Sequence, residues 1–308
     1  HLLGETAAQI AQNVILENGD LKPLKLPAAI ATLAKAGVKK TIYRFGKALD
    51  SDTQYWFHNT DDVNYATGPL ANDTQERTYF TGDGDPKQTD SVLGTSGALL
   101  PSGSYLLGLP APTVPTVAVT GAATGVATQI LVSYCFVTAT GEPGPESAVS
   151  AEIPYYQGQT LTVSALDTAP AGAYNIGSKR IFVSQPDSTG AQRLKFWRDV
   201  LIGVTSTAGV VDFTLLGEGP ADPVLIAPPA DMFGIMSHPN RFMAGFTKRQ
   251  ILRSEINRPY GWPAEYRDST SYDIVGGAIL GQSIVVVTKG KTLMATGQDP
   301  LNQSIIEL

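Results

Sequence analysis

The scatter of turn-forming residues constrains this chain more than any other feature. Its 308 residues include 31 glycines and 21 prolines, spread along the chain without a fixed period. Glycine weakens helices and proline breaks them, so long helices would be interrupted too often. Short strands joined by tight turns tolerate this spacing. We therefore predict a mainly β protein in which helices are short and confined to the N-terminal region.

The first 36 residues are mixed in character. Glu5–Asn13 and the alanine-rich stretch Ala28–Ala36 predict two short helices. The turn signal Asn18–Asp20 lies between the apolar residues 14–16 and residues 21–24, which predicts a hairpin. The chain starts with His1 and ends at Leu308 within an apolar segment, so we expect it to be part of a longer polypeptide.

Composition and charge exclude several classes of protein. Hydrophobic residues make up 43% of the chain and charged residues only 16%, which is typical of a folded protein. The formal net charge of −6 argues against wrapping nucleic acid, although DNA that merely slides past is compatible with it. No apolar run approaches the roughly 20 residues that span a bilayer, and no signal-peptide pattern is present.

Proline-marked joints divide the chain into three predicted parts. Residues 1–108 form the first part of a β platform, with strands at Thr41–Phe45, Gln54–His58 and Arg77–Thr81. Residues 109–228 form an inserted β-sandwich, entered through Pro110, Pro112 and Pro115 and left through Ala227–Ala230. Its predicted strands are Ile130–Val137, Leu161–Val163, Arg180–Val183, Leu194–Arg198 and Val210–Thr214.

Residues 229–308 again alternate short strands with turns, as in the first part, and form the second part of the platform. The predicted strands are Arg241–Phe246, Gln250–Ser254, Ile274–Val275, Ser283–Thr288 and Thr292–Thr296, with a tight turn at Lys289–Lys291. Residues 77–86 and 291–300 also echo each other, since both are strands ending in Thr-Gly before Asp-Pro. Such repetition is typical of propeller blades, and chance reuse of good turn chemistry explains it equally well.

Nucleophilic catalysis is not predicted. A nucleophile needs an oriented base, and the candidate bases are His58, His238 and the terminal His1. His58 lies in an aromatic strand and His238 in a loop, which favours structural roles for both. Cys135, the only cysteine, lies in an apolar run and is predicted to be a small buried hydrophobe.

Two groups of aspartates give weak support for a metal site or for acid–base catalysis. Asp83 and Asp85 flank Gly84 in a predicted turn, where a weak calcium site is the alternative to turn chemistry, but the remaining EF-hand positions are absent. A second group comprises Asp50, Asp52, Asp61 and Asp62. A solvated loop is the preferred interpretation of this group, and a pair of glycosidase carboxylates is the minor one.

Phosphate chemistry has little support in the sequence. There is no phosphate-binding loop of the Gly-x-x-x-x-Gly-Lys-Ser/Thr type. Lys39–Lys40 and Lys248–Arg249 are small basic pairs, interpreted as solvated surface with contact to passing DNA as the alternative. We predict no catalytic, cofactor-binding or metal-binding residue, no cofactor and no enzymatic activity.

Three resemblances rest on specific segments. The first is carried by Leu2–Leu3, Ala7–Gln9, Ala11–Val14, Gly19–Pro23, Arg77–Pro86 and Leu107–Pro112, which are similar to segments of phage tail structural proteins. The second is carried by Tyr134–Ser147, which resembles the strand and turn of an Ig-like or fibronectin-type domain. The most specific is carried by Asn240–Phe246, Arg253–Glu255, Pro259–Pro263 and Ile274–Gly277, which resemble the nozzle or tail-hub proteins of short-tailed phages.

Together, these resemblances imply a propeller-like platform with an Ig-like insert, in a structural subunit of a phage tail. Such proteins form a hexameric ring below the portal and adaptor, with fibres as further neighbours, and DNA passes through without specific binding. The implied location is the virion, assembled in the host cytoplasm. A further stretch usually follows the position of Leu308 in the family, so we expect a truncated platform.

Two other functions remain open. One is a receptor-binding or fibre-docking adhesin, for which Tyr155, Tyr156 and Trp197 would have to surround a groove rather than fill a core. The other is a tail-associated glycan hydrolase, for which the stretch 50–62 would have to supply two facing carboxylates.

Overall fold

The architecture is almost entirely β. A computed structural model describes residues 14–17, 20–23, 29–46, 54–186, 191–221 and 223–308. Strands account for 43% of the structure and helix for about 1%, which confirms the predicted mainly β class. The described residues contain one helical segment, the single 3-10 turn Ala264–Tyr266. The chain divides into two compact units, His1–Ala34 and Lys35–Leu308.

The N-terminal unit contains the predicted hairpin. Strand β1 (Val14–Glu17) pairs antiparallel with β2 (Asp20–Pro23), and Glu17 lies opposite Asp20. The predicted helix Glu5–Asn13 falls outside the described residues. The predicted helix Ala28–Ala36 is wrong, because residues 29–36 are irregular and mostly exposed. Residues 29–32 are exposed and supply no packed face, and an isolated segment of nine residues is too short to hold a helix in water.

The second unit starts with an aromatic hairpin and a four-stranded sheet. Phe45 stacks on Phe57 with ring centroids 4.6 Å apart, and Tyr43 stacks on Tyr65 at 4.8 Å. The hairpin is β3 (Thr41–Phe45) with β4 (Tyr55–Asn59). The antiparallel sheet follows in chain order as β5 (Asn64–Thr67), β6 (Thr78–Thr81), β7 (Lys87–Thr89) and β8 (Tyr105–Leu106).

The next nine strands form sheets only with one another. They are β9 (Thr116–Thr120), β10 (Thr128–Ile130), β11 (Val132–Thr138), β12 (Pro143–Glu146), β13 (Ile153–Tyr155), β14 (Thr160–Ser164), β15 (Ile176–Pro186), β16 (Gln192–Leu201) and β17 (Thr207–Val210). Their sheets run β12-β11-β15-β16, β17-β14-β9 and β10-β13. One apolar core, which includes Tyr134, Tyr155 and Leu161, draws on all three sheets.

Two strands of this region differ from their predictions. The predicted strand Ile130–Val137 is divided at Leu131 into β10 and β11. The predicted strand Val210–Thr214 is wrong beyond its first residue, because β17 ends at Val210. Asp212 explains the second difference, since its carboxylate accepts hydrogen bonds from the backbone N–H and the hydroxyl of Thr214 at 2.9 and 2.7 Å. A local bond of this kind favours a turn over a sheet ladder.

Two further four-stranded sheets follow in strict chain order. The first is β18 (Phe233–Ser237), β19 (Met243–Phe246), β20 (Gln250–Arg253) and β21 (Arg267–Ser269). The second is β22 (Ile274–Leu280), β23 (Ser283–Thr288), β24 (Thr292–Thr296) and β25 (Ser304–Glu307). The echoing segments fall on β6 and β24, the second and third strands of their sheets, so they are not equivalent.

Apolar cores join the three four-stranded sheets in sequence. Ala66 and Tyr79 from β5–β8 pack with Ile235, Met243 and Leu252 from β18–β21. A second core contains Phe242, Phe246, Ile284, Val286 and Ala295, and joins β18–β21 to β22–β25. None of the described sheets is closed.

The two ends of the segment between β8 and β18 lie side by side. A Cβ on Gly108 would come within 2.7 Å of the Ala227 Cα and 3.0 Å of the Tyr260 carbonyl oxygen. The Trp262 backbone N–H donates to the Ile226 carbonyl at 2.8 Å. The chain therefore leaves and returns at one place, although the division into parts at 108/109 and 228/229 stays a prediction.

Replacing Gly108 with alanine tests this crossing point. Gly108 has φ +77°, where any L-residue costs about 1–2 kcal/mol, and the new methyl group would also clash with backbone. Gly84→Ala is the matched control, because Gly84 has φ +74° and a Cβ added there would meet no atom within 4 Å. We expect Gly108→Ala to lower the free energy of unfolding by about 1–3 kcal/mol more than the control, measured by urea unfolding. Equal losses would contradict the close crossing.

Candidate functional site

Both described histidines are buried in the fold. His58 is buried, and its Nε2 accepts a hydrogen bond from the Lys35 backbone N–H at 3.0 Å. The proton therefore sits on Nδ1, which donates to the Trp56 carbonyl at 2.7 Å. His238 stacks on Phe242 with centroids 4.1 Å apart, and burial lowers its pKa, which favours the neutral ring. His1 lies outside the described residues.

The acidic groups do not converge. Asp50 and Asp52 lie outside the described residues, and Asp61 and Asp62 are exposed. Asp83 pairs with Lys87 Nζ at 2.9 Å instead of facing Asp85. Within the described ranges, no three His, Cys, Asp or Glu side chains are grouped closely enough to hold a metal ion.

A groove with a volume of about 470 Å³ lies on one face of the sheet β12-β11-β15-β16. The strand register places four side chains in a row across this face: Glu146, Cys135, Arg180 and Asp199. Phe182 and Phe196 line the groove beside them, and Arg258, from the loop after β20, also contributes to its wall. The volume is in the range of small-molecule sites.

Charge is unevenly paired along this row. Arg180 makes two bonds of 3.0 Å, from Nε and Nη2, to the two carboxylate oxygens of Asp199, and it lies 5.3 Å from the centre of the Phe196 ring. Glu146 has no ion pair with any described residue, and burial raises its pKa. Glu218 and Arg258 also line the groove without an ion pair to a described residue, so the groove presents two carboxylates and one guanidinium beside Phe182 and Phe196.

Cys135 lies at the bottom of the groove and is not activated. Burial raises the pKa of its thiol to about 12, opposed only in part by Arg180. A thiol of this kind is protonated at neutral pH and is a poor nucleophile. The groove can bind a ligand but lacks the thiolate that covalent chemistry at Cys135 would need.

A buried ion network links the first four-stranded sheet to the β11–β12 turn. Arg77 Nε lies 2.8 Å from Asp73 Oδ2, and Arg77 Nη1 lies 2.5 Å from Glu142 Oε1. Glu142 is nearly inaccessible, and its backbone N–H donates to Thr138 Oγ1 at 2.9 Å. Burial raises the pKa of Glu142, and Arg77 opposes the shift only in part. The sequence contains no local signal for this contact, since 65 positions separate its two partners.

Tyr155, Tyr156 and Trp197, which an adhesin would place around a groove, are buried or partly buried in the fold. Tyr155 is fully buried, and its hydroxyl donates to the Gln159 carbonyl at 2.8 Å and accepts from the Val211 N–H at 2.9 Å. Trp197 packs against the same core, and the Arg198 guanidinium lies 4.0 Å from the centre of its ring. Tyr156 is half-buried. None of these three side chains lines the 470 Å³ groove.

The two basic pairs have different surroundings. Lys39 Nζ donates to the carbonyls of Ala36 and Gly37 at 2.9 and 2.6 Å, so it completes a local turn. Lys248 and Arg249 instead converge with Lys289 on Asp273. The sequence marks both segments as basic but does not show that they meet.

Comparisons with known proteins add no relative. No protein-family model matches the chain, and no curated protein is significantly similar to it. In the part of the chain that the structure describes, helical segments are too short to cross a bilayer.

The state of Cys135 has a direct chemical test. With a pKa of about 12, its thiol should react with iodoacetamide at pH 8 on the order of 1000-fold more slowly in the folded protein than in urea. The rate is measured by mass spectrometry of the labelled chain, and a free cysteine peptide in both buffers corrects for the effect of urea. Comparable rates in the two states would contradict a buried thiol.

Glu142 should make stability depend on pH. Its folded pKa is raised above the ordinary 4.5, so folding takes up a proton between the two values. The contribution of Glu142 to stability is therefore lost as the pH rises through that window. Glu142→Gln keeps an oxygen that can accept from Arg77 but cannot ionise, so its deficit relative to wild type should be at most about 1 kcal/mol near pH 4 and should shrink or reverse near pH 8, where wild-type Glu142 is charged.

Urea unfolding at several pH values measures this deficit. Exposed Glu152 supplies the control, because Glu152→Gln should leave the pH profile unchanged. A deficit for Glu142→Gln that grows with pH would mean that the ion pair outweighs desolvation, contrary to the expectation.

Proposed function

We propose that the chain is a structural subunit of a bacteriophage tail, which forms part of a nozzle or tail-tube ring around the path of DNA ejection. The observation that carries this proposal is the series of three four-stranded antiparallel sheets, β5–β8, β18–β21 and β22–β25. Each is built from strands in chain order and shares an apolar core with the next. Propeller blades have this construction, which supports a propeller-like platform.

The nine strands β9–β17 support an Ig-like or fibronectin-type insert. Their sheets enclose one core, and two buried tyrosines fasten it through their hydroxyl groups. Tyr134 accepts a hydrogen bond from the Asp167 N–H at 2.9 Å, and Tyr155 holds the Gln159 and Val211 backbone. In a ring, this insert would face outward, where it would leave the contacts between copies free.

Buried cations in the structure serve to hold elements together. Arg253 is 1% exposed, and its Nη2 lies 2.6 Å from Asp268 Oδ2 while its Nη1 reaches the Tyr266 and Pro300 carbonyls at 3.4 Å. Buried Lys179 donates to the Asp167 and Val204 carbonyls. Removing one partner of such a group leaves a buried charge uncompensated, so these contacts favour a fixed shape.

The last sheet offers an apolar surface for association between copies. Its face away from β18–β21 carries Val285, Met294 and Ile306 side by side across neighbouring strands, with Val287 in the next row. Val287 and Ile306 are 46% and 43% exposed. A ring subunit must bury such surface against its neighbours. The net charge of −6 suits a channel that DNA crosses without specific binding, below a portal and adaptor and beside tail fibres.

A receptor-binding or fibre-docking module is the second candidate, favoured by the 470 Å³ groove with its unpaired Glu146. That role places the ligand on the sheet β12-β11-β15-β16 and needs no ring.

Electron microscopy of the purified assembly tests the first proposal. We expect sixfold rings. Twelvefold rings would indicate an adaptor instead, threefold particles a fibre or spike, and a stable monomer would contradict all three. Val287→Asp with Ile306→Asp should abolish the rings while circular dichroism stays unchanged. Val126→Asp is the control, since Val126 is 90% exposed outside this sheet and its replacement should leave the rings intact.

A further inference from the structure

Three turns bring three cations onto one carboxylate. Arg249 Nε lies 2.8 Å from Asp273 Oδ1, and Lys248 Nζ and Lys289 Nζ each lie 3.7 Å from Asp273 Oδ2. We call these four residues the basic cluster. Asp273 compensates one of the three positive charges, and the neighbouring Lys291 is neutralised by its own partner, Glu307. The cluster is therefore a local positive patch on an acidic chain.

The backbone holds the basic cluster in place. The Ile274 N–H donates to the Lys248 carbonyl at 2.8 Å, and the Lys289 N–H donates to the Asp273 carbonyl at 2.9 Å. The Thr270 N–H donates to the Arg249 carbonyl at 2.9 Å. The three turns that carry the charges are thus bonded to one another, so the cations are brought together before any partner arrives. Preorganisation of this kind lowers the entropy cost of binding.

We propose that the basic cluster is a contact site for the phosphate backbone of double-stranded DNA. The three cationic side chains are 62–75% exposed, whereas the carboxylate that gathers them is only 18% exposed. The surface that a partner meets is therefore cationic. Lysine and arginine are the usual partners of DNA phosphates, and phosphate contacts position DNA without reading its sequence.

The small size of the basic cluster limits its grip. Each neutralised phosphate releases condensed counterions, so affinity rises with the number of contacts and falls with salt. Two or three contacts on a chain of net charge −6 give weak binding whose slope of log Kobs against log salt is only about −2 to −3. DNA held in this way is still free to slide. This inference rests on the proposed tail function for its biological setting, but the contact itself requires no ring.

The test compares two double variants that each remove two lysine charges. Lys248→Gln with Lys289→Gln alters the basic cluster, and Lys39→Gln with Lys40→Gln is the matched control elsewhere. Binding of the full chain to a fluorescent 30-base-pair duplex is titrated by anisotropy between 10 and 100 mM salt. We expect wild type to bind at low salt, with the slope of log Kobs against log salt reduced by up to about 2 in the cluster variant. The control should keep the wild-type slope.

Several outcomes would overturn the proposal. They are no binding by wild type at 10 mM salt, equal loss in both double variants, and equal binding of poly-glutamate, which would identify an acidic protein surface as the partner. Sixfold rings without DNA binding would sink this inference alone. A DNA-binding monomer whose slope depends on the cluster would instead leave this contact intact and contradict the proposed ring.

Discussion

The apolar core between Tyr79 and Trp262 is the contact on which the rest of the second unit depends. It unites β5 and β6 with β18–β20, although more than 150 positions separate Ala66 from Met232. Tyr79, Met243 and Leu252 are fully buried there. Closing a loop of this length costs conformational entropy, which the burial of large side chains must offset. The segment that carries β9–β17 must therefore start and end close to this core.

Further contacts connect distant segments near this crossing. Gly108 lies where a side chain would meet Ala227, and Leu107 enters the core itself. The network of Asp73, Arg77 and Glu142 joins the first sheet to the β11–β12 turn, two segments that are distant in sequence. A buried charge fixes position because every displaced partner is costly. These contacts suit a scaffold whose task is to keep its shape.

Local patterns predicted much of the fold. Thr41–Phe45, Ser283–Thr288 and Thr292–Thr296 are strands with the predicted bounds, because alternation and turn residues act within a few positions. The alanine-rich helix at Ala28–Ala36 failed because helix propensity needs a packed face, which the exposed residues there lack. The strand predicted at Val210–Thr214 failed because Asp212 bonds its own backbone neighbours.

The candidate sites were harder to predict. The basic pairs and Cys135 could be read from the sequence, but their surroundings could not. Asp273 gathers Lys248 and Lys289 only because three turns meet, and Glu146 joins Cys135 and Arg180 only through the register of three strands. Such groupings depend on tertiary structure, for which a single sequence contains no local signal.

Native-state hydrogen exchange tests the central claim most directly. If the Tyr79–Trp262 core holds β5–β8 and β18–β21 as one cooperative unit, amides of Thr78–Thr81 and Met243–Phe246 should open with the same free energy and the same denaturant dependence. If the first segment instead loses its protection at a denaturant concentration that leaves the second protected, the two sheets are independent and the account is contradicted.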